Sequence, residues 1–208
     1  MARQTRISTI RHAYTHYNAQ RRYAGTLDVP LSKAGLREAR SAAAKLARAR
    51  FDAVITSPLK RALETARILS RGNTPIVQTP LCSERRFGIL EGLTWDEVRE
   101  VKPPVLLIQV GYDLHTVNPK GGEALEDVWE RAKEFRRFLF INYSGREVLV
   151  VSHGVFLQLF NGLLRGLNCI ESLALFPGNL ELARFRFAGE KLTGESVVRL
   201  GRGEVVSW

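Results

Sequence analysis

At 208 residues, with 45% hydrophobic and 25% charged side chains, the chain is long enough to bury a sizeable core and too apolar for a disordered segment. No apolar run reaches the ~18 to 20 residues that span a bilayer, so no transmembrane helix or membrane partner is expected. The net charge of +10 would suit a polyanion, but the basic residues are dispersed along the chain; a solvated surface that gathers small anions is preferred, and no nucleic acid is expected.

The N-terminus, Met1-Ala2-Arg3-Gln4-Thr5-Arg6, runs into a β-like stretch instead of a signal-peptide core, which points to the cytoplasm. Residues 5–10 alternate and carry β-branched side chains, the pattern of a first strand. Ser32 suits a helix N-cap, and Leu36, Ala39, Ala43, Leu46 and Ala47 recur behind it at helical spacing. Residues 52–56 predict a short buried strand closed by Ser57-Pro58, with Pro58 in the first turn of a helix running to about Leu69. Residues 76–79 read as a third strand. Residues 80–121, punctuated by Gly88, Gly92, Pro103, Pro104, Gly111 and Pro119, read as an irregular excursion over the open end of the sheet, with a short helix near 94–100.

A long amphipathic helix follows over about 123–143, with Leu125, Val128, Ala132, Phe135 and Leu139 on its apolar side. Glu-Val-Leu-Val-Val at 147–151 has the continuous apolar character of a strand buried on both faces. Ser152-His153-Gly154 then leads into another helix, and strands are expected at 180–187 and 196–200. The end, Val205-Val206-Ser207-Trp208, offers an apolar edge for a homodimer. Cys82 and Cys169 stand far apart, outside any metal-binding spacing, and are expected as free thiols. Alternating strand and helix patterns argue for an α/β fold.

Chemistry gathers at three strand ends. His12 follows the first strand, His153 follows 147–151, and Arg61 sits in the first turn of the helix after the second strand. In open α/β sheets the crevice outside the carboxyl ends of the strands, beside helix N-termini, is where anionic ligands bind. Singly, each residue has a structural explanation; three together point to one anion crevice.

The run Arg11-His12-Ala13-Tyr14-Thr15-His16-Tyr17-Asn18 resembles the signature Arg-His-Gly-Glu-Ser/Thr-x-x-Asn of the histidine phosphatase superfamily, also called the phosphoglycerate mutase-like family. The segment Gly25-Thr26-Leu27-Asp28-Val29-Pro30-Leu31-Ser32 is similar to that family's next segment. Ser57-Pro58-Leu59-Lys60-Arg61-Ala62-Leu63-Glu64-Thr65-Ala66 is similar to its second arginine motif. Glu84-Arg85-Arg86-Phe87-Gly88 resembles its acid-bearing loop, Gly121-Gly122-Glu123-Ala124 its Gly-Glu-Ser element, and Val151-Ser152-His153-Gly154 its second histidine motif. The motifs occur in family order. The resemblance implies one domain over residues 1–208, a three-layer α/β/α sandwich with a mostly parallel central sheet and a small cap at about 80–121.

It also implies the roles. His12 attacks phosphorus and becomes a phosphohistidine, while its other ring nitrogen is held by the backbone. Arg11 and Arg61 supply fixed cationic forks for the phosphate, completed by Asn18, backbone N–H groups near Gly25, His153 as a donor and Gly154. Glu84 serves as the acid that protonates the leaving group and then as the base for water. Because arginines carry the electrostatic load, no metal or other cofactor is called for. Tyr14, Arg85 and Phe87 are candidates for the substrate side. Two departures stand out: Ala13 replaces the usual glycine, and Tyr14 the commoner acid, which leaves Glu84 as the acid. His16 lies four residues after His12, but without an adjacent Glu and following a strand this is not read as a metal pair. His115 is read as a surface or lid residue, not a catalytic one.

Phosphatases and mutases of this family share the first half-reaction. The segment 101–121 is apolar, with two lysines and no arginine, which favours hydrolysis of a small phosphate monoester over a cofactor-dependent phosphoglycerate mutase. A basic nucleic-acid-binding or non-catalytic regulatory protein is the lower alternative. All five catalytic positions are filled, which disfavours a non-catalytic protein.

Overall fold

In a computed structural model that describes residues 4–111 and 113–201, the periodic segments become strands and helices in the expected order. Met1-Ala2-Arg3 and the proposed dimer edge Val205-Val206-Ser207-Trp208 lie outside the described residues. The chain forms β1 (Thr5–Arg11), α1 (His16–Ala19), α2 (Lys33–Lys45), β2 (Ala53–Thr56), α3 (Lys60–Ser70) and β3 (Ile76–Gln78). Three 3-10 turns follow, at Pro80–Cys82, Gly88–Leu90 and Glu97–Glu100, and then a hairpin of β4 (Leu107–Val110) and β5 (Asp113–Thr116). The second half holds α4 (Leu125–Tyr143), β6 (Glu147–Ser152), α5 (Gly154–Arg165), α6 (Cys169–Ser172), β7 (Glu181–Ala188) and β8 (Lys191–Arg199).

The main sheet has the order β3-β2-β6-β1-β7-β8. Its first four strands are parallel; β7 runs antiparallel to β1, and β8 antiparallel to β7. Side-chain alternation along the central strands feeds two apolar layers. Val148 and Val150 of β6, with Ile55 of β2, meet α4 and α5 through Phe135, Leu139, Phe156 and Phe160. Leu149 and Val151, with Val54 and Ile10, meet the alanine-rich faces of α2 and α3. The result is the expected α/β/α sandwich with a mostly parallel sheet. No helix among the described residues is long and apolar enough to cross a membrane.

Three local expectations need correction. Pro58 lies outside α3, which begins at Lys60 after the extended N-cap Leu59. Ser57 Oγ accepts from Leu59 N (3.2 Å), holding 57–59 as a turn. The helix start is instead met by Asp28, whose Oδ1 accepts from Lys60 N (2.8 Å) across 32 residues of sequence, which no local pattern could show. The expected strand at 196–200 is only the end of β8, whose earlier part continues through Gly194, beside a register irregularity at Arg186/Phe187 in its partner. Finally, the irregular excursion contains a regular hairpin: β4 and β5 pair antiparallel from Leu107↔Thr116 to Val110↔Asp113.

Candidate active site

β1 and β6 are neighbours in register, Arg11 opposite Ser152, so the residues that follow them, His12 and His153, emerge side by side. His12 N–H donates to Ser152 O (2.9 Å), extending the ladder one step past the strand. The two imidazole rings lie 5.3 Å apart between centroids. His12 Nδ1 lies 2.8 Å from Ala13 O, and since a carbonyl only accepts, Nδ1 carries the proton and donates. Nε2 is therefore the lone-pair nitrogen. Ala13, where the family pattern has glycine, is fully buried in the α2/α3 layer and its N–H donates to Thr65 Oγ1 (3.1 Å).

Arg61 is fixed by two carbonyls: Nη1 donates to Leu27 O (2.8 Å) and Nη2 to Gly25 O (2.7 Å). Gly25 has φ +48°, a left-handed conformation that favours glycine, and a Cβ there would press on the Glu91 carboxylate. Arg11 donates through Nη1 to Pro177 O (3.1 Å) and lies over the Phe176 ring, 4.9 Å from its centroid. Gly154 lets these groups converge: a Cβ there would lie 3.0 Å from Phe176 Cζ and 3.3 Å from Arg11 Cζ. Asn179 Nδ2 donates to His12 O (2.7 Å). Phe176 and Asn179 line the cleft from the segment before β7; sequence reasoning passed over them because they follow no helix or strand periodicity.

Burial and the neighbouring charges set the protonation of the site. Burial first, then Arg61 and Arg11, hold His12 well below the usual imidazole range, so it is neutral at neutral pH. His153 is depressed by burial, then by Arg61, His12 and Arg11. Burial brings Arg11 down to about 10, still cationic. Arg11 Nε, Arg61 Nε and both ring nitrogens of His153 are buried with no hydrogen-bond partner among the described residues. Unmet buried nitrogens are costly and rare in native proteins, and these four all belong to residues at this end of the sheet.

Glu84 is 9% exposed and sits against the N-terminus of α5. Its Oε1 accepts from Arg85 N (2.9 Å) and Phe156 N (3.1 Å), and its Oε2 from Val155 N (3.4 Å). Arg131, unnoticed in the sequence, holds this loop: Nη1 donates to Ser83 O (2.7 Å), Nη2 to Glu84 O (3.4 Å), and Nη2 pairs with Glu123 (3.1 Å).

A cavity of about 330 Å³ opens at this end of the sheet. Arg11, His12, Asn18, Gly25, Arg61 and Glu84 line it; His153 and Gly154 stand beside it without reaching its surface. Asn18 Oδ1 is engaged by Thr15 N (3.0 Å) and Thr15 Oγ1 (2.9 Å), which leaves its amide NH₂ as the donor. Tyr14 and Phe87 also line the cavity, Phe87 while packing on Tyr23 at 4.8 Å. Arg85, expected on the substrate side, lines the cavity although only 1% of its surface is exposed. Its Nε donates to Glu123 O (2.9 Å), Nη1 to Thr116 O (2.5 Å) and Nη2 to Val117 O (2.7 Å), which makes it a brace between acid loop and hairpin. His16 opens α1 at the surface, on no common helix with His12. His115 lies on β5 and lines the cavity. No cluster of three His, Cys, Asp or Glu able to hold a metal occurs among the described residues.

Fold and site together define an α/β protein that gathers two histidines and two arginines at the ends of parallel strands, beside a cavity. The family model of the histidine phosphatase superfamily (branch 1) matches residues 7–199, and the chain belongs to that superfamily. A bifunctional protein of Mycobacterium tuberculosis is 35% identical over 205 residues, 94% of this chain and 53% of the relative. The chain thus spans about half the length of the first curated relatives it matches. Phosphoserine phosphatase 1 of Hydrogenobacter thermophilus is 33% identical over 151 residues, 72% of this chain and 71% of that protein. Among solved structures, a mycobacterial glucosyl-3-phosphoglycerate phosphatase superposes with a TM-score of 0.78 at 26% identity, over 94% of this chain and 97% of that one.

Proposed function

We propose that the protein is a metal-independent phosphatase that hydrolyses a small phosphate monoester through a phosphohistidine on His12. The carrying observation is the neutral His12, its Nδ1–H anchored on Ala13 O and its Nε2 lone pair free, beside unpartnered nitrogens of Arg11, Arg61 and His153. Nε2 attacks phosphorus as the P–O bond to the leaving group breaks, and the equatorial oxygens meet Arg11, Arg61 and Asn18. Glu84, which lines the cavity beside His12, is the group that passes a proton to the departing oxygen. Water then attacks the phosphohistidine, Glu84 takes its proton, the P–N bond breaks, and phosphate leaves with His12 restored.

Phosphatases stand beside phosphoglycerate mutases among the relatives, which keeps hydrolysis open, and the apolar segment 101–121 favours it. So does Arg85: a mutase needs free cations for a second acidic group, whereas the donors of this arginine are engaged by Glu123, Thr116 and Val117. The test is phosphate release from an aryl phosphate in the presence of a chelator. Turnover lost with the chelator, or dependent on a bisphosphoglycerate primer, contradicts the reading.

A further inference from the structure

The cavity above His12 has a second, chemically opposite side. Asp113 and His115 are two residues apart on β5 and so share a face of the hairpin. Their cross-strand partners on that face, Val110 and Ile108, pack on the core beside α4, which turns the face inward. Asp113 Oδ1 and His115 Nε2 are buried and have no hydrogen-bond partner among the described residues. From α5 comes Gln158, fully buried: its Nε2 donates to Leu173 O, and its Oε1 is left as an unpartnered acceptor. All three residues line the same cavity as His12 and Arg61. Burial and Arg85 favour the neutral form of His115, whose imidazole has one accepting nitrogen.

The two sides are complementary in hydrogen bonding. Around His12 the unmet atoms of the arginines are donors, which suits a phosphate that only accepts. Asp113 and Gln158 present unmet acceptors, and a carboxylate among them repels a second anionic group. An aliphatic or unsubstituted aryl leaving group satisfies none of these atoms.

We propose that Asp113, with Gln158 and His115, forms a specificity subsite for the alcohol portion of the substrate, and that this portion carries hydroxyl or ammonium donors. The proposal rests on the phosphatase reading of the His12 side and adds the class of ester. Arg85 is a positioning residue for the subsite, since it ties Thr116 and Val117 at the base of the hairpin to the loop that carries Glu84.

The test separates binding from turnover. In His12→Ala protein, which keeps esters intact, titration calorimetry compares 3-aminopropyl phosphate, glycerol 3-phosphate and propyl phosphate. One or both donor-bearing esters are expected to bind at least about tenfold more tightly than propyl phosphate, a difference of about 1.4 kcal/mol. The first two arms distinguish ammonium from hydroxyl. Adding Asp113→Ala, at a partly exposed position, should bring the preference within about threefold by weakening the donor-bearing esters, with propyl phosphate bound no more weakly than before. Equal affinity for all three esters, no measurable binding of any, or a preference that survives Asp113→Ala overturns the proposal. Failure of the phosphatase reading shows separately, as no phosphate release from any ester by the unsubstituted protein.

Discussion

The floor of the cavity and its cap are built by different rules. The floor is the end of a parallel sheet, where register alone sets His12 beside His153 and the first turn of α3 carries Arg61. The cap is a two-stranded hairpin outside the main sheet, held by Arg85 reaching Thr116 and Val117 and by apolar contacts of Ile108 and Val110. A floor made by strand register is the same for any substrate; a cap held by a few side chains can be changed without disturbing the chemistry beneath it. Floor substitutions should therefore slow every ester alike, and cap substitutions should change which ester is preferred.

The largest expected effect is His12→Ala, which should cut phosphate release by about 10³-fold or more on every ester, as removal of a nucleophile does. Glu84→Gln comes next, and it splits substrates by leaving group. An alkyl phosphate, which needs a proton on departure, should slow by about 10²- to 10⁴-fold, and an aryl phosphate far less. Equal losses on both would remove Glu84 from the acid role. Arg61→Ala removes charge-assisted bonds worth about 1.5 to 3 kcal/mol each, so kcat/KM should fall about ten- to a hundredfold across all esters.

The smaller effects are on stability. His12 and His153 are depressed in the folded protein, so the unfolded chain binds protons more readily once the pH falls below the ordinary value of 6.5. Their contribution is complete above that value and is lost as the pH falls below it, at up to about 1.4 kcal/mol per pH unit for each histidine. Melting temperature should drop on acidification, and less steeply in His12→Ala. Arg85→Lys leaves one or more of the carbonyls of Glu123, Thr116 and Val117 unmet, at about 1 to 3 kcal/mol. That corresponds to a melting temperature lower by several degrees, with aryl phosphate turnover retained within about threefold.

The same contrast explains what could be read from the chain. β1, β2 and β6 were legible because apolar alternation and short buried runs are local signals; Arg11 ends β1, and His12, Arg61 and His153 follow these strands within five residues. The capping of α2 by Ser32, whose Oγ accepts from Gly35 N (3.0 Å), was legible for the same reason. The hairpin was not. Leu107–Val110 and Asp113–Thr116 are strand-like, but Pro103 and Pro104 on one side and Gly111 between them suggested an irregular excursion. What makes them a hairpin is distant: Arg85 and the core beside α4. Phe176, Asn179 and Arg131 were missed likewise, because each acts on a strand end or loop far away in sequence. Arg85, read as a candidate for the substrate side, lines the cavity and is also held on main-chain carbonyls, a bracing role that no local pattern signals.

The central claim is the covalent intermediate on His12, and it is tested most directly by trapping it. The protein is mixed with radiolabelled aryl phosphate, quenched within one turnover into alkaline detergent, and mapped by peptide. The expected result is one phosphoryl group per chain on the peptide bearing His12, absent from His12→Ala. Label on another residue, or hydrolysis that survives in His12→Ala with no bound phosphate, would contradict it.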